Sequence, residues 1–148
     1  MGATKSDDYQ FSEQIGHLLR RAYQRHMAIF QETVPDATLT PTQFVVLCTV
    51  RDHDGCEIAD IARATAIDEP SVRGIVERLK WRGLLDAKHE PGDARHMRMS
   101  LTPEGAVLTA RTVPFAREIS EVTFGDLNAQ ERSELIALLR RISGMETD

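Results

Sequence analysis

The sequence predicts a mainly α-helical domain with one small β-hairpin, an α+β fold class in which the helices dominate. Helix-capping signals recur along the chain, as in Thr40-Pro41-Thr42-Gln43, where proline stands at the first helical position. Apolar residues between these signals repeat with a period near 3.6. The period changes to two only in LLDAKHE and HMRMSL, which flank PGDAR, and this alternation is typical of a hairpin.

Length and composition are those of one ordinary soluble domain. The chain has 148 residues, 41% of them hydrophobic, and we expect a single domain over residues 1–148. Apolar runs stay well below the roughly 18 to 20 residues that cross a membrane, and MGATKSDDYQ is too polar for a secretory signal. We therefore expect a cytoplasmic protein with no membrane partner, in which Cys48 and Cys56 are not paired.

The charge of the chain is distributed unevenly. The formal net charge is -5, yet residues 70–100 hold seven Lys or Arg against four Asp or Glu, a local charge of +3. A basic segment inside an acidic chain indicates a polyanion bound at one defined place, rather than diffuse attraction.

The caps and the apolar period together predict six helices. They run from Gln10 to Thr33, Thr42 to Arg51, Glu57 to Thr65, Asp68 to Trp81, Pro103 to about Phe124, and Asn128 to Ile142. Gly83 supplies the stop after the fourth helix, and Pro114 is expected to kink the fifth. The first helix has an apolar stripe formed by Phe11, Ile15, Leu18, Ala22, Ile29 and Phe30.

A short helix, a tight turn, a second helix and a two-stranded hairpin follow one another in the order of a winged helix-turn-helix, at residues 40–101. The fourth helix would be its recognition helix, because its core stripe leaves Pro70, Arg73, Gly74 and Glu77 on the opposite face. Arg73 could read a guanine edge, and Ser71 could contact a phosphate or base. A glycine inside a helix, such as Gly74, lowers stability by about 1 kcal/mol relative to alanine. Close approach of this face to a groove wall would explain why glycine is nevertheless present. The alternative is an amphipathic surface helix with an incidental glycine.

The stretch EIADIARATAIDEPSVRGIVERLKWRGLLDAKHEPGDARHMRMSLTPEG resembles the winged helix-turn-helix of the MarR family of bacterial transcriptional regulators. The resemblance rests on LKWRGLL at the end of the recognition helix, on Asp93-Ala94-Arg95 in the wing turn, and on LTPEG opening the next helix. It implies that helices within residues 10–34 and 103–144 dimerise. It also implies that Arg95 enters the minor groove while Asp93 holds it; a solvated turn pair is the alternative. Arg98, on the polar side of the strand, would contact phosphate.

The DNA-binding set expected from these residues and from the resemblance is Pro70, Ser71, Arg73, Gly74, Arg78, Asp93, Arg95 and Arg98. The function it implies is that of a homodimeric transcriptional regulator on double-stranded DNA. We expect a repressor of genes for the catabolism of an aromatic acid or its CoA thioester. A small aromatic ligand would release it from an inverted-repeat operator.

The first helix also indicates which kind of effector the regulator would bind. His17, Arg20 and Gln24 form one polar stripe, and His26 falls within the apolar stripe. An arginine beside an apolar dimer interface would suit an aromatic carboxylate, because the guanidinium binds the carboxylate and apolar side chains contact the ring. GHLLRRA followed by QRH is similar to the MarR branch that controls aromatic-acid breakdown, so we assign Arg20 to the carboxylate and His17, Gln24 and His26 to polar contacts. The alternative is a solvated helix face with a satisfied core histidine.

Other inputs and other classes of protein are less well supported by the sequence. Cys48 and the five histidines leave open a regulator of the same fold that responds to thiol oxidation or to a metal, although the histidines lack a compact ligand spacing. No phosphate-cradling glycine loop, metal-binding His-Glu motif or Gly-x-Ser-x-Gly elbow points to an enzyme, and no cofactor is expected. A protein-interaction module that has lost DNA binding is disfavoured, because Arg73, Arg95 and Arg98 are present.

Overall fold

The structure is a computed structural model that describes residues 8–144, except the side chains of residues 94 and 95. Within that part, six α-helices and one hairpin follow in the predicted order, which confirms the mainly helical fold class. They are α1 (Ile15–Thr33), α2 (Pro41–Asp52), α3 (Ile58–Thr65), α4 (Glu69–Trp81), β1 (Leu85–Glu90), β2 (Asp93–Leu101), α5 (Pro103–Phe124) and α6 (Ala129–Ile142). No helix in the described part is long and apolar enough to cross a membrane.

The predicted caps are present at the starts of the helices. At α2, the Gln43 N–H donates to Thr40 Oγ1 at 3.1 Å and the Thr40 N–H donates to Gln43 Oε1 at 3.2 Å, which completes the capping box. The side chains of Asp68, Thr102 and Asn128 likewise accept backbone N–H groups at α4, α5 and α6. Each cap satisfies donors that the first helical turn would otherwise leave unpaired.

The start of the first helix differs from the prediction. Instead of a continuous helix from Gln10, a 3-10 turn covers Phe11–Glu13 and α1 begins at Ile15. The reason is the backbone of Gln14, which is extended (φ -73°, ψ 136°) and breaks the helical hydrogen-bond ladder there.

The hairpin is antiparallel and carries its side chains as the alternation predicts. Met99 is fully buried, Met97 is half-buried on the same side, and His96 and Arg98 are exposed on the other. A third segment joins the hairpin, because the Gly55 N–H donates to the Met99 carbonyl at 2.8 Å. The hairpin is therefore attached to the chain just before α3 as well as to α4.

The core lies where α2, α3 and α4 meet the hairpin and α5. Its largest fully buried side chains are Leu39, Leu47, Ile61, Leu79, Leu85, Met99 and Ile119. This packing holds α2, α3, α4 and the hairpin, here called the recognition unit, as one body and fixes which face of α4 is left exposed.

A close junction links the hairpin to α5. Thr102 Oγ1 donates to the Gly83 carbonyl at 2.6 Å and accepts the Gly105 N–H at 3.0 Å. A Cβ at Gly105 would lie 2.0 Å from the Leu84 carbonyl oxygen, so only glycine lets α5 pass so close to the chain before β1. The LTPEG stretch thus orients α5 relative to the recognition unit.

Large apolar side chains of α1 and α6 stay exposed on the single chain. They are Ile15, Leu18, Leu19 and Tyr23 on α1, preceded by Phe11, and Leu135, Ile136, Leu138, Leu139 and Ile142 on α6. The predicted apolar stripe of the first helix is thus buried only at its C-terminal end, where Phe30 is 3% exposed. An exposed apolar face of this extent is typical of an interaction surface.

Candidate nucleic-acid interface and effector site

The exposed face of α4 has the composition predicted for a recognition helix. Pro70, Ser71, Arg73, Gly74 and Arg78 are all exposed, whereas Val72, Val76 and Leu79 of the same helix are at most 1% exposed. A Cβ at Gly74 would meet nothing within 4 Å. The fold itself therefore does not require glycine at this position.

Arg73 is held only loosely. Its Nη2 lies 3.7 Å from Glu69 Oε2, and the two side chains are 60% and 50% exposed. Such an exposed pair contributes about 0–1 kcal/mol. The Arg73 guanidinium can therefore exchange this partner for a base edge at little cost.

Ser71 has a structural role that the sequence did not suggest. Its hydroxyl donates to Asp68 Oδ1 at 2.8 Å, and its N–H donates to Asp68 Oδ2 at 3.0 Å. Hydrogen bonds from Ser71 lower the pKa of Asp68 and keep the cap ionised. The contact between Ser71 and DNA stays a prediction.

The wing presents one described arginine, Arg98, on its outer face. Arg98 Nε donates to Glu90 Oε1 at 2.7 Å, and Arg98 remains about half exposed on the outer side of β2. The side chain of Arg95 lies outside the described residues, so its groove contact stays a prediction. Its proposed holder, Asp93, lies 3.6 Å from His96 Nε2 through Oδ2.

A link between the wing and α3 was missed by the sequence reasoning. His96 Nδ1 lies 3.0 Å from Glu57 Oε2, and this hydrogen bond, followed by the charges of Glu57 and Asp93, raises the pKa of His96. Glu57 and His96, together with Glu69 and Arg73, line a cavity of about 170 Å³ between α3, α4 and the wing. The one sequence feature that could have indicated this contact is the alternation of apolar and polar residues along β2, which places His96 on the polar side.

The predicted effector residues on α1 are spread over different environments. His17 is half-buried, with its ring edge-on to Phe11 at 5.3 Å between centroids. Arg20 and Gln24 are exposed. In the described part of the chain, no hydrogen bond joins any two of His17, Arg20, Gln24 and His26.

His26 is fixed against α5. Its Nδ1 lies 2.9 Å from Thr123 Oγ1, and the Thr123 hydroxyl already donates to the Ile119 carbonyl at 2.7 Å. Nδ1 must therefore carry the proton in the neutral ring, which leaves Nε2 as an acceptor. Burial lowers the pKa of His26 and favours this neutral form.

Arg25, which the sequence reasoning left out, strengthens the same contact. It donates to the carbonyls of Thr123 at 2.9 Å and Val122 at 3.0 Å, at the C-terminal end of α5. A cation there satisfies carbonyls that lack helical partners and interacts well with the helix dipole. A shift of α1 would thus be transmitted to α5.

The cysteines do not have the environment of a reactive thiol. Burial is the main cause that raises the pKa of both the Cys48 and the Cys56 thiol, so the reactive thiolate is disfavoured. Among the described residues, no group of three or more His, Cys, Asp or Glu side chains could hold a metal ion.

Comparisons with known proteins agree with this geometry. The model of the MarR family matches residues 39–97. The chain is 50% identical over 134 residues to the HTH-type transcriptional repressor NicR of Pseudomonas putida. The alignment covers 90% of this chain and 85% of that protein.

Solved structures show the same similarity. The structure of Bordetella bronchiseptica BpsR, whose DNA binding is regulated by 6-hydroxynicotinic acid, is 54% identical with a TM-score of 0.86, covering 92% of this chain and 98% of that one. The repressor CouR bound to a 23-mer DNA duplex is 29% identical with a TM-score of 0.79, covering 89% and 94% of the two chains.

Proposed function

Because the chain belongs to the MarR family, we propose that it is a cytoplasmic homodimeric repressor that binds an inverted-repeat operator and is released by a small aromatic acid. The observation that carries the DNA-binding part is the exposed face of α4. It combines a loosely paired Arg73 with Gly74, a glycine that the fold itself does not need. Arg98 on the wing is half exposed and would contact phosphate by exchanging its surface ion pair with Glu90.

Dimerisation would cover the apolar faces of α1 and α6. Leu18 on α1 and Leu138 on α6 are 48% and 52% exposed on the single chain, which a second copy would relieve. Two copies related by a two-fold axis present two α4 helices to successive major grooves. The operator should then be an inverted repeat with half-site centres about 10 bp, or about 34 Å, apart.

The effector would bind beside α1, with its carboxylate paired to an arginine. Arg20 offers an exposed guanidinium for two parallel hydrogen bonds to the carboxylate. His26 Nε2 offers an acceptor for a ring N–H or hydroxyl, which a hydroxypyridine carboxylate such as 6-hydroxynicotinic acid carries. The similarity to BpsR, whose DNA binding is regulated by 6-hydroxynicotinic acid, supports this ligand class.

Release would follow from linkage between the two sites. A ligand that binds one dimer conformation better than the other shifts the population toward it by its difference in binding free energy. His26 and Arg25 tie α1 to α5, and α5 begins at the Gly105 junction with the recognition unit. The favoured conformation would separate the two α4 helices by a distance that no longer fits the operator.

Arg20→Ala should raise the effector concentration needed for release without preventing operator binding. Loss of a charge-assisted contact of about 1.5–3 kcal/mol would weaken binding of the effector about 10- to 150-fold. The measurement is anisotropy of a labelled operator duplex titrated with benzoate, nicotinate, 6-hydroxynicotinate and p-hydroxycinnamate, together with thermal unfolding of the protein in each acid.

Arg21→Ala is the matched control, because Arg21 is the neighbouring exposed arginine on α1. We expect it to release like the wild type. If no acid stabilises the wild type or releases it from DNA, the aromatic-acid proposal is wrong. If Arg20→Ala and Arg21→Ala respond alike, the carboxylate does not bind at Arg20.

A further inference from the structure

Trp81, at the last position of α4, is 90% exposed. It is the only tryptophan of the chain. Exposed apolar side chains are common on proteins, so exposure alone decides nothing. What matters is where on α4 the indole is placed.

Trp81 lies on the same face of α4 as the predicted DNA contacts. Pro70, Gly74, Glu77 and Trp81 are spaced i, i+4, i+7 and i+11, which is one stripe along a helix. The buried residues of α4 lie on the opposite side. At 1.5 Å per residue, Trp81 stands about 16 Å beyond Pro70 along the helix axis.

The small residues of this stripe lie in the N-terminal half of α4, and the large ones lie toward its C-terminus. Pro70 and Gly74 are small, and space is open around Gly74, so the N-terminal half of α4 can approach DNA closely. A straight helix that enters the groove with its N-terminal half moves away from the DNA at its other end. Trp81, the largest side chain, stands where that gap is widest.

The surroundings of Trp81 suit a phosphodiester backbone. Arg78 is exposed one turn earlier, and the negative charge of Glu77 is met by Lys80, with Oε1 and Nζ 3.3 Å apart. Arg82, the next residue, fixes the helix end, because its Nη2 lies 2.5 Å from Asp36 Oδ2 in the loop before α2. Trp81 is thus presented from an anchored helix end.

We propose that Trp81 contacts the DNA backbone at the edge of each half-site, with the indole against a deoxyribose and Nε1–H donating to a phosphate oxygen. This inference rests on the proposed DNA-binding function. The contact carries no base information, so it adds affinity on every sequence and lengthens the footprint of each subunit.

The single tryptophan allows a direct test on the whole protein. Labelled-duplex anisotropy reports binding, while selectively excited tryptophan emission reports Trp81 alone. We expect free Trp81 to be readily quenched by acrylamide, and the quenching constant to fall about two-fold or more on saturation with duplex. Trp81→Ala should weaken operator and random duplex alike, by about 3- to 10-fold. Val45→Ala, at a 40% exposed position on α2, should leave both affinities unchanged.

The possible outcomes separate this inference from the proposed function. If the wild type binds no duplex, both are wrong. If anisotropy reports binding while quenching and the Trp81→Ala affinity stay unchanged, only the Trp81 contact is wrong. If Trp81 is already protected from acrylamide without DNA, the partner subunit covers it and the inference is again overturned. Circular dichroism of Trp81→Ala should match the wild type, because the indole makes little contact with the fold.

Discussion

Gly105→Ala should destabilise the protein by at least about 3 kcal/mol, enough to lower the unfolding temperature by about 10 °C. The added methyl would lie 2.0 Å from the Leu84 carbonyl oxygen; the methyl is attached directly to the α5 backbone, and the oxygen is itself a backbone atom. Neither can rotate away, so α5 or the chain before β1 must move. That movement would break the Thr102 hydrogen bonds to Gly83 and Gly105. Thermal and chemical unfolding at fixed protein concentration measure the loss.

A matched variant distinguishes this clash from an ordinary glycine effect. Gly16→Ala makes the same change near the start of α1, where a Cβ would meet nothing within 4 Å. It should be neutral or stabilising, because alanine favours a helix over glycine. If Gly105→Ala unfolds at the wild-type temperature, the close junction between α5 and Leu84 does not exist in solution.

Arg73→Ala should cost about 1–3 kcal/mol on the operator and little on a random duplex. The physical reason is that a bidentate guanine contact exists only on the right sequence, whereas the lost Glu69 pair is exposed and weak. The operator is first selected from a random-sequence duplex pool with the wild-type protein. Anisotropy then gives the Kd on operator and random duplex at one salt concentration.

Arg51→Ala is the control for the change in net charge. Arg51 is an exposed arginine at the end of α2 and pairs with Asp52 at 2.9 Å, so its loss removes one charge away from α4. It should leave the ratio of the two affinities unchanged. Equal losses on operator and random duplex from Arg73→Ala would mean that Arg73 contacts phosphate and does not read a base.

The parts of the fold that local chemistry determines could be predicted from the sequence. Three helix starts were predicted from their capping residues, Thr40, Asp68 and Thr102. A cap needs only the side chain and a backbone N–H two or three residues later. The alternation of Met97 and Met99 with Arg98 likewise predicted which side of the hairpin would be buried.

What escaped prediction depends on residues far apart in the chain. His96 meets Glu57 across 39 positions, and Arg25 meets Thr123 across 98, and no local pattern encodes either contact. The role of Gly105 depends on Leu84 in the same way. For the effector, the stripe of α1 indicated Arg20, but only the structure shows that His26 is tied to α5. The DNA and ligand roles of the named residues stay predictions.

The central claim is that the exposed face of α4 lies against DNA, and Gly74→Ala tests it most directly when stability and affinity are measured on one preparation. Alanine should stabilise the helix by about 0.5–1 kcal/mol, because space around Gly74 is open. On the operator, the same methyl should obstruct close approach and cost about 1–3 kcal/mol, the range of a mismatched base pair. A raised unfolding temperature together with weaker operator binding is the expected result. Unchanged or tighter operator binding by the stabilised variant would contradict the claim.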